Sequence, residues 1–145
     1  MSATYVPLEV RQSVANRARH RCEYCHTQEV IVGMPLEIEH IIPEIAGGIS
    51  DETNLCLACP RCNRYKGRQT HAVDAETADY VSLFHPRQHQ WEEHFAWQQN
   101  GLYIVGLTSI GRATITALQM NNPFVVRSRQ VWIEAGWHPP QERPR

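Results

Sequence analysis

The chain has 145 residues, 42 % of them hydrophobic, and a formal net charge of −1. That supplies apolar material for one small core, or a core with an elaboration, and excludes a global basic field as the mark of a nucleic-acid partner. No run approaches the roughly 18 apolar residues of a membrane span, and the first residues lack the basic-then-apolar pattern of a secretory leader. The expectation is a cytoplasmic protein with no membrane partner.

In chain order, residues 7–20 read as a helix, with Pro7 in its first turn and Val10, Val14 and Ala18 on one face. Residues 26–34 look irregular. Leu36 to Ile42 alternates and then turns apolar, which reads as a strand ending at Pro43. Gly47-Gly48 marks a loop, and Leu55 to Ala58 is a short apolar run. A short basic helix follows, which Gly67 ends. Ala75 to Leu83 reads as a short helix. Asn100-Gly101, between His94–Trp97 and Leu102–Val105, signals a hairpin. Ser109 caps a helix running to about Met120. Asn122-Pro123 starts another that stops near Gly136, and the tail from Pro139 reads as disordered. The domain expectation is 1–70 and 71–145.

The five cysteines fall at 22, 25, 56, 59 and 62. Thiols in a reducing compartment do not form a disulfide framework, and two Cys-x2-Cys turns are a common way to surround zinc tetrahedrally. Cys22, Cys25, Cys59 and Cys62 are therefore the candidate ligands of a structural zinc, with Cys56 left as a small core residue. Basic side chains cluster at Arg17, Arg19 and Arg21 and again at Arg61, Arg64, Lys66 and Arg68. Lys66 is the only lysine among the 14 basic residues. The rest carry the flat donor fork that fits phosphate oxygens.

Between the cysteine pairs lie the strand LEIEHIIP and the run NLCLACPRCNRYKG. The order His40, Asn54, Asn63 within them resembles the HNH nuclease family, and more narrowly its branch with a four-cysteine zinc beside a ββα-metal (His-Me finger) site. The resemblance covers about residues 20–68. It implies an α+β fold: a zinc-stapled ββα-metal core with an N-terminal helix and a C-terminal hairpin plus helices. It implies a metal-dependent endonuclease acting on nucleic acid, DNA before RNA. By position, His40 is the general base, Glu39 and Asn63 hold a catalytic Mg2+ or Mn2+, and Asn54 orients the His40 ring. Arg61, Arg64, Lys66 and Arg68 bind phosphates.

Histidine suits the base because its ordinary pKa, about 6.5, lets it accept a proton near neutrality. Hard divalent ions prefer oxygen donors. Glu39 stands where the family frequently has aspartate. Because neighbours in a strand face opposite ways, Glu39 and His40 cannot simply point together. The run GLTSIGRATITALQMNNPFVVRSRQVW is similar to extensions of some bacterial HNH proteins. Arg112, Arg127 and Arg129 within it read either as an extension of a nucleic-acid-binding surface or as a solvated helix face. The rival readings are a non-catalytic zinc module that binds nucleic acid and a protein-interaction zinc ribbon. The sequence leaves the oligomeric state open.

Overall fold

The computed structural model describes residues 5–141, which divide into two units. The first comprises the chain up to Thr70 together with His85–His89, and the second holds His71–Phe84 and the chain from Gln90.

In the first unit, helix α1 spans Leu8–Arg17 and buries Val14 completely. It is shorter at both ends than its apolar spacing predicts. Pro7 sits in the N-cap with ψ 150°, outside the helix. At the other end Arg19 and His20 turn left-handed, with φ of 56° and 57°. The unwound turn brings the His20 ring to Asn16 Oδ1 at 3.2 Å and to Glu29 Oε1 at 2.9 Å. Glu29 opens α2 (Glu29–Val32), a single turn in the stretch read as irregular, closed by left-handed Gly33.

Strands β1 (Glu37–His40) and β2 (Leu55–Ala58) then pair antiparallel, with Glu37 opposite Ala58 and His40 opposite Leu55. All four residues of β2 are buried, as its unbroken apolar run requires. Helix α3 (Pro60–Lys66) follows at once, with Cys59 as N-cap and Pro60 in the first turn, and Gly67 (φ 54°) ends it. The succession β1, β2, α3 is the expected zinc-stapled ββα core of an α+β protein.

In the second unit, the helix expected over Ala75 to Leu83 is instead a hairpin of β3 (His71–Val73) and β4 (Tyr80–Ser82). Asp74 decides this. Its backbone N–H donates to Asp79 O at 2.8 Å, its carboxylate accepts from Glu76 N and Thr77 Oγ1, and Ala78 turns left-handed at φ 65°. Arg112 clamps the same carboxylate with Nε at 3.1 Å and Nη2 at 2.8 Å, and these bonds hold the Asp74 carboxyl well below the ordinary range.

After α4 (Trp91–His94), β5 (Phe95–Gln98) and β6 (Tyr103–Gly106) form the hairpin that Asn100-Gly101 signals. Helix α5 (Ser109–Ala117) is capped by Thr108 rather than Ser109, because Thr108 Oγ1 accepts from Gly111 N at 3.1 Å. Helix α6 (Pro123–Glu134) is capped by Asn122. Arg129 does not lie on a solvated face. It is fully buried, donating to the carbonyls of Leu102 and Met120 and to Asn121 Oδ1, with Trp97 beside its guanidinium. Of the tail from Pro139, residues 139–141 have no helix or strand and 142–145 lie outside the described residues. No helix among the described residues is long and apolar enough to cross a membrane.

Candidate metal centre and adjoining site

Each Cys-x2-Cys turn is built by its own backbone. In the first, Cys22 N donates to Thr27 O at 2.9 Å, His26 N donates to Cys22 O at 2.9 Å, and Cys25 N points at Cys22 Sγ at 3.5 Å. In the second, Cys62 N points at Cys59 Sγ at 3.4 Å as the first turn of α3 begins. Glu23, inside the first turn, ties it to β2 just ahead of the second: Glu23 N donates to Leu57 O and Leu57 N donates to Glu23 Oε2, each at 2.8 Å. The four sulfurs are buried and all lie within 4.8 Å of one another. Tetrahedral zinc at about 2.3 Å from each sulfur sets neighbouring sulfurs about 3.8 Å apart, and Cys25 and Cys59 stand at 3.7 Å.

Without a cation these thiols compete for protons. Hydrogen bonds from Cys22, Cys59 and Cys62 hold Cys25 well below the ordinary thiol range, while burial pushes Cys22 well above it. A four-thiolate zinc resolves that competition, and its closed shell makes it structural rather than reactive.

Arg61 serves this centre. Its Nη2 reaches Cys25 Sγ at 3.3 Å and Thr27 Oγ1 at 3.5 Å. Burial works against its charge, but the four sulfurs outweigh it and hold the guanidinium protonated. Arg61 is therefore a partner of the thiolates and not the phosphate contact its position in the sequence suggests. Lys66 also departs from expectation. It is 1 % exposed, with Nζ 3.5 Å from Glu39 Oε1, so it cannot reach a phosphate from where it stands. Arg64 and Arg68 are exposed.

The two carboxylates of β1 both face α3. Glu37 Oε2 accepts from Asn63 Nδ2 at 2.7 Å, and Glu39 meets Lys66 one turn further along. Glu39 is buried, with Cys56 Sγ 3.5 Å from its Oε2, and burial raises its carboxyl above the ordinary range against the pull of Lys66. Its Oε1 and Lys66 Nζ are buried without hydrogen-bond partners among the described residues. Glu39 and Asn63 thus sit on one side of β1 but hold different partners.

His40 projects from the other face, as strand alternation demands. Its Nε2 lies 2.8 Å from Ser50 Oγ and 3.3 Å from Glu44 Oε1. Asn54 does not touch the ring. Its Oδ1 accepts from Ile42 N at 2.9 Å, and its Nδ2 donates to Ile42 O and Ile49 O, each at 2.9 Å. An amide with a donor and an acceptor side is better matched to a peptide unit than to an imidazole, and Asn54 accordingly fastens the loop that leads away from His40. Among the described residues β1 pairs with no strand other than β2. Glu39 and His40 point to opposite faces of β1, as neighbours in a strand do.

Residues 22–69 match the family model of the HNH endonucleases. The HNH segment contains the four cysteines, both strands, α3 and every residue of the His40, Asn54, Asn63 series. No curated protein matches the chain. Glu37, Glu44 and Ser50 belong to the site without having been singled out in the sequence. Glu44 was legible as the residue four beyond His40, whereas Ser50 carried no local sign, since a folded loop brings it back.

Proposed function

We propose that the HNH segment is a metal-dependent endonuclease that hydrolyses phosphodiester bonds in DNA, with His40 as general base. The observation that carries this reading is the His40 ring. It projects, half-buried, from the face of β1 opposite Glu37 and Glu39, held by Ser50 and Glu44, inside a segment that matches the HNH family and gathers four cysteines. His40 removes a proton from water as the water oxygen bonds to phosphorus. The bond from phosphorus to the leaving sugar oxygen then breaks.

A Mg2+ or Mn2+ ion would be held by Glu39 and Asn63, with Glu37 beside them, and would neutralise charge on the leaving oxygen. The donor set suits such an ion: Glu37 and Glu39 face Asn63 and α3 from one face of β1, and Glu39 Oε1, buried 3.5 Å from Lys66 Nζ, accepts no hydrogen bond among the described residues. Arg64 and Arg68 on the exposed side of α3 contact flanking phosphates.

The pairing of Glu39 with Lys66 favours a second reading, a zinc module that binds nucleic acid without cutting it. Supercoiled plasmid incubated with Mg2+, with Mn2+ and with neither separates the two. The nuclease gives nicked or linear product only with metal, and His40→Ala reduces the rate roughly 10²- to 10⁴-fold with folding intact. Salt-dependent binding with no product under any metal establishes the second reading instead.

A further inference from the structure

The two contacts on the His40 ring fall on the same nitrogen. Ser50 Oγ and Glu44 Oε1 both address Nε2, at 2.8 Å and 3.3 Å. Nδ1 has no protein partner among the described residues. A carboxylate only accepts hydrogen bonds, so the nitrogen facing Glu44 carries the proton, and in the neutral ring the other nitrogen holds the lone pair.

The loop gives these contacts a fixed reach. Asn54 ties Ile42 to Ile49, next to Ser50. Gly48 lies so close to Ile42 that a Cβ there would fall 1.7 Å from its carbonyl oxygen. The segment between His40 and Ser50 is thereby closed near its two ends, and Glu44, opening a short 3-10 turn (Glu44–Ala46), returns four residues after the histidine.

We propose that Glu44 and Ser50 are positioning residues that fix His40 as the Nε2–H tautomer and present Nδ1 as the proton acceptor. The inference rests on His40 being the base. Neither residue touches the reacting atoms. Each acts through the imidazole, by orienting the ring and by stabilising the proton that remains on Nε2 while Nδ1 takes another.

Histidine-15N-labelled protein at pH 8, read by two-bond 1H–15N correlation, tests this directly, with His40 assigned by the peak lost in His40→Ala. The expected wild-type spectrum shows His40 protonated at Nε2. In Glu44→Ala/Ser50→Ala both ring nitrogens move toward the exchange average, while Glu44→Gln, which keeps an acceptor, stays close to wild type. Plasmid cleavage at saturating DNA falls roughly 10- to 100-fold in the double variant with KM unchanged, and Glu44→Gln recovers most of the loss. A wild-type His40 carrying its proton on Nδ1 overturns the proposal, and so does a double variant that cuts at the wild-type rate. A wild-type protein that never cuts overturns the nuclease reading, and the tautomer is still decided by the spectrum.

Discussion

Glu39 and Lys66 are 6 % and 1 % exposed and stand 3.5 Å apart, a buried ion pair between β1 and α3. Taking two charges out of water is costly, and their attraction repays that only while both are present. Replacing one partner strands the other. Glu39→Gln is expected to lower stability to urea by about 3–5 kcal/mol, and Glu39→Leu combined with Lys66→Met to recover most of it. If the single substitution leaves the urea midpoint unmoved, Lys66 has found water or another acceptor and the pair is not a buried one. The cycle also bears on the proposed ion site. A protein that tolerates the double replacement in folding, yet loses Mn2+ binding with it, assigns Glu39 to the ion. Arg61 shows the same economy of charge on the other side of α3, where a cation that looked free in the sequence is spent on the sulfurs.

At the scale of the element, what was legible in the sequence is what is decided locally. The two cysteine turns were readable because each is closed locally, the first sulfur of each pair facing the N–H of the cysteine three residues on, and the bonds between Glu23 and Leu57 then join the first turn to β2. The start and stop of α3, the caps at Asn122 and Gly136, and the Asn-Gly hairpin are local in the same sense. The stretch 75–83 was misread because Asp74 answers to Arg112, which lies far along the chain, and Ala78 adopts a left-handed conformation that alanine does not advertise. The role of Asn54 was misplaced for a related reason, since its partners Ile42 and Ile49 are peptide groups that no side-chain pattern reveals. The loop from β1 to β2 carries a sharp test of this account. Its closure needs bare backbone at Gly48, where a Cβ would meet Ile42 O at 1.7 Å and Asn54 Nδ2 at 2.8 Å. Gly48→Ala is expected to cost at least about 1–3 kcal/mol, to speed hydrogen exchange at the Ile42 amide and to depress cleavage, while the sulfur centre still binds zinc. Wild-type exchange at Ile42 in that variant would show that the loop closes by some other route.

On the scale of the whole molecule the two units are held by different means. The first gathers four buried sulfurs placed to bind a metal ion, and a structural zinc there would contribute roughly 10–16 kcal/mol of apparent binding free energy to folding. The second has its own buried set, with Phe84, Phe95, Ile104, Leu118 and Met120 at its heart and the Asp74–Arg112 clamp linking β3–β4 to α5. All four tryptophans, at 91, 97, 132 and 137, fall in the second unit, so their emission reports on it alone. Stripping zinc with a strong chelator at neutral pH is therefore expected to abolish amide dispersion for the HNH segment and lower the far-ultraviolet signal, while tryptophan emission keeps its wavelength. Restoring zinc returns both. Under the proposed nuclease reading, removing only Mg2+ or Mn2+ is expected to leave every one of these signals in place and to affect cleavage alone, because an ion held by two or three oxygens would add nothing the hairpin needs in order to fold. Tryptophan emission that shifts to the red together with the loss of the first unit would mean that the zinc holds both units, and the two could no longer be treated as separately stabilised.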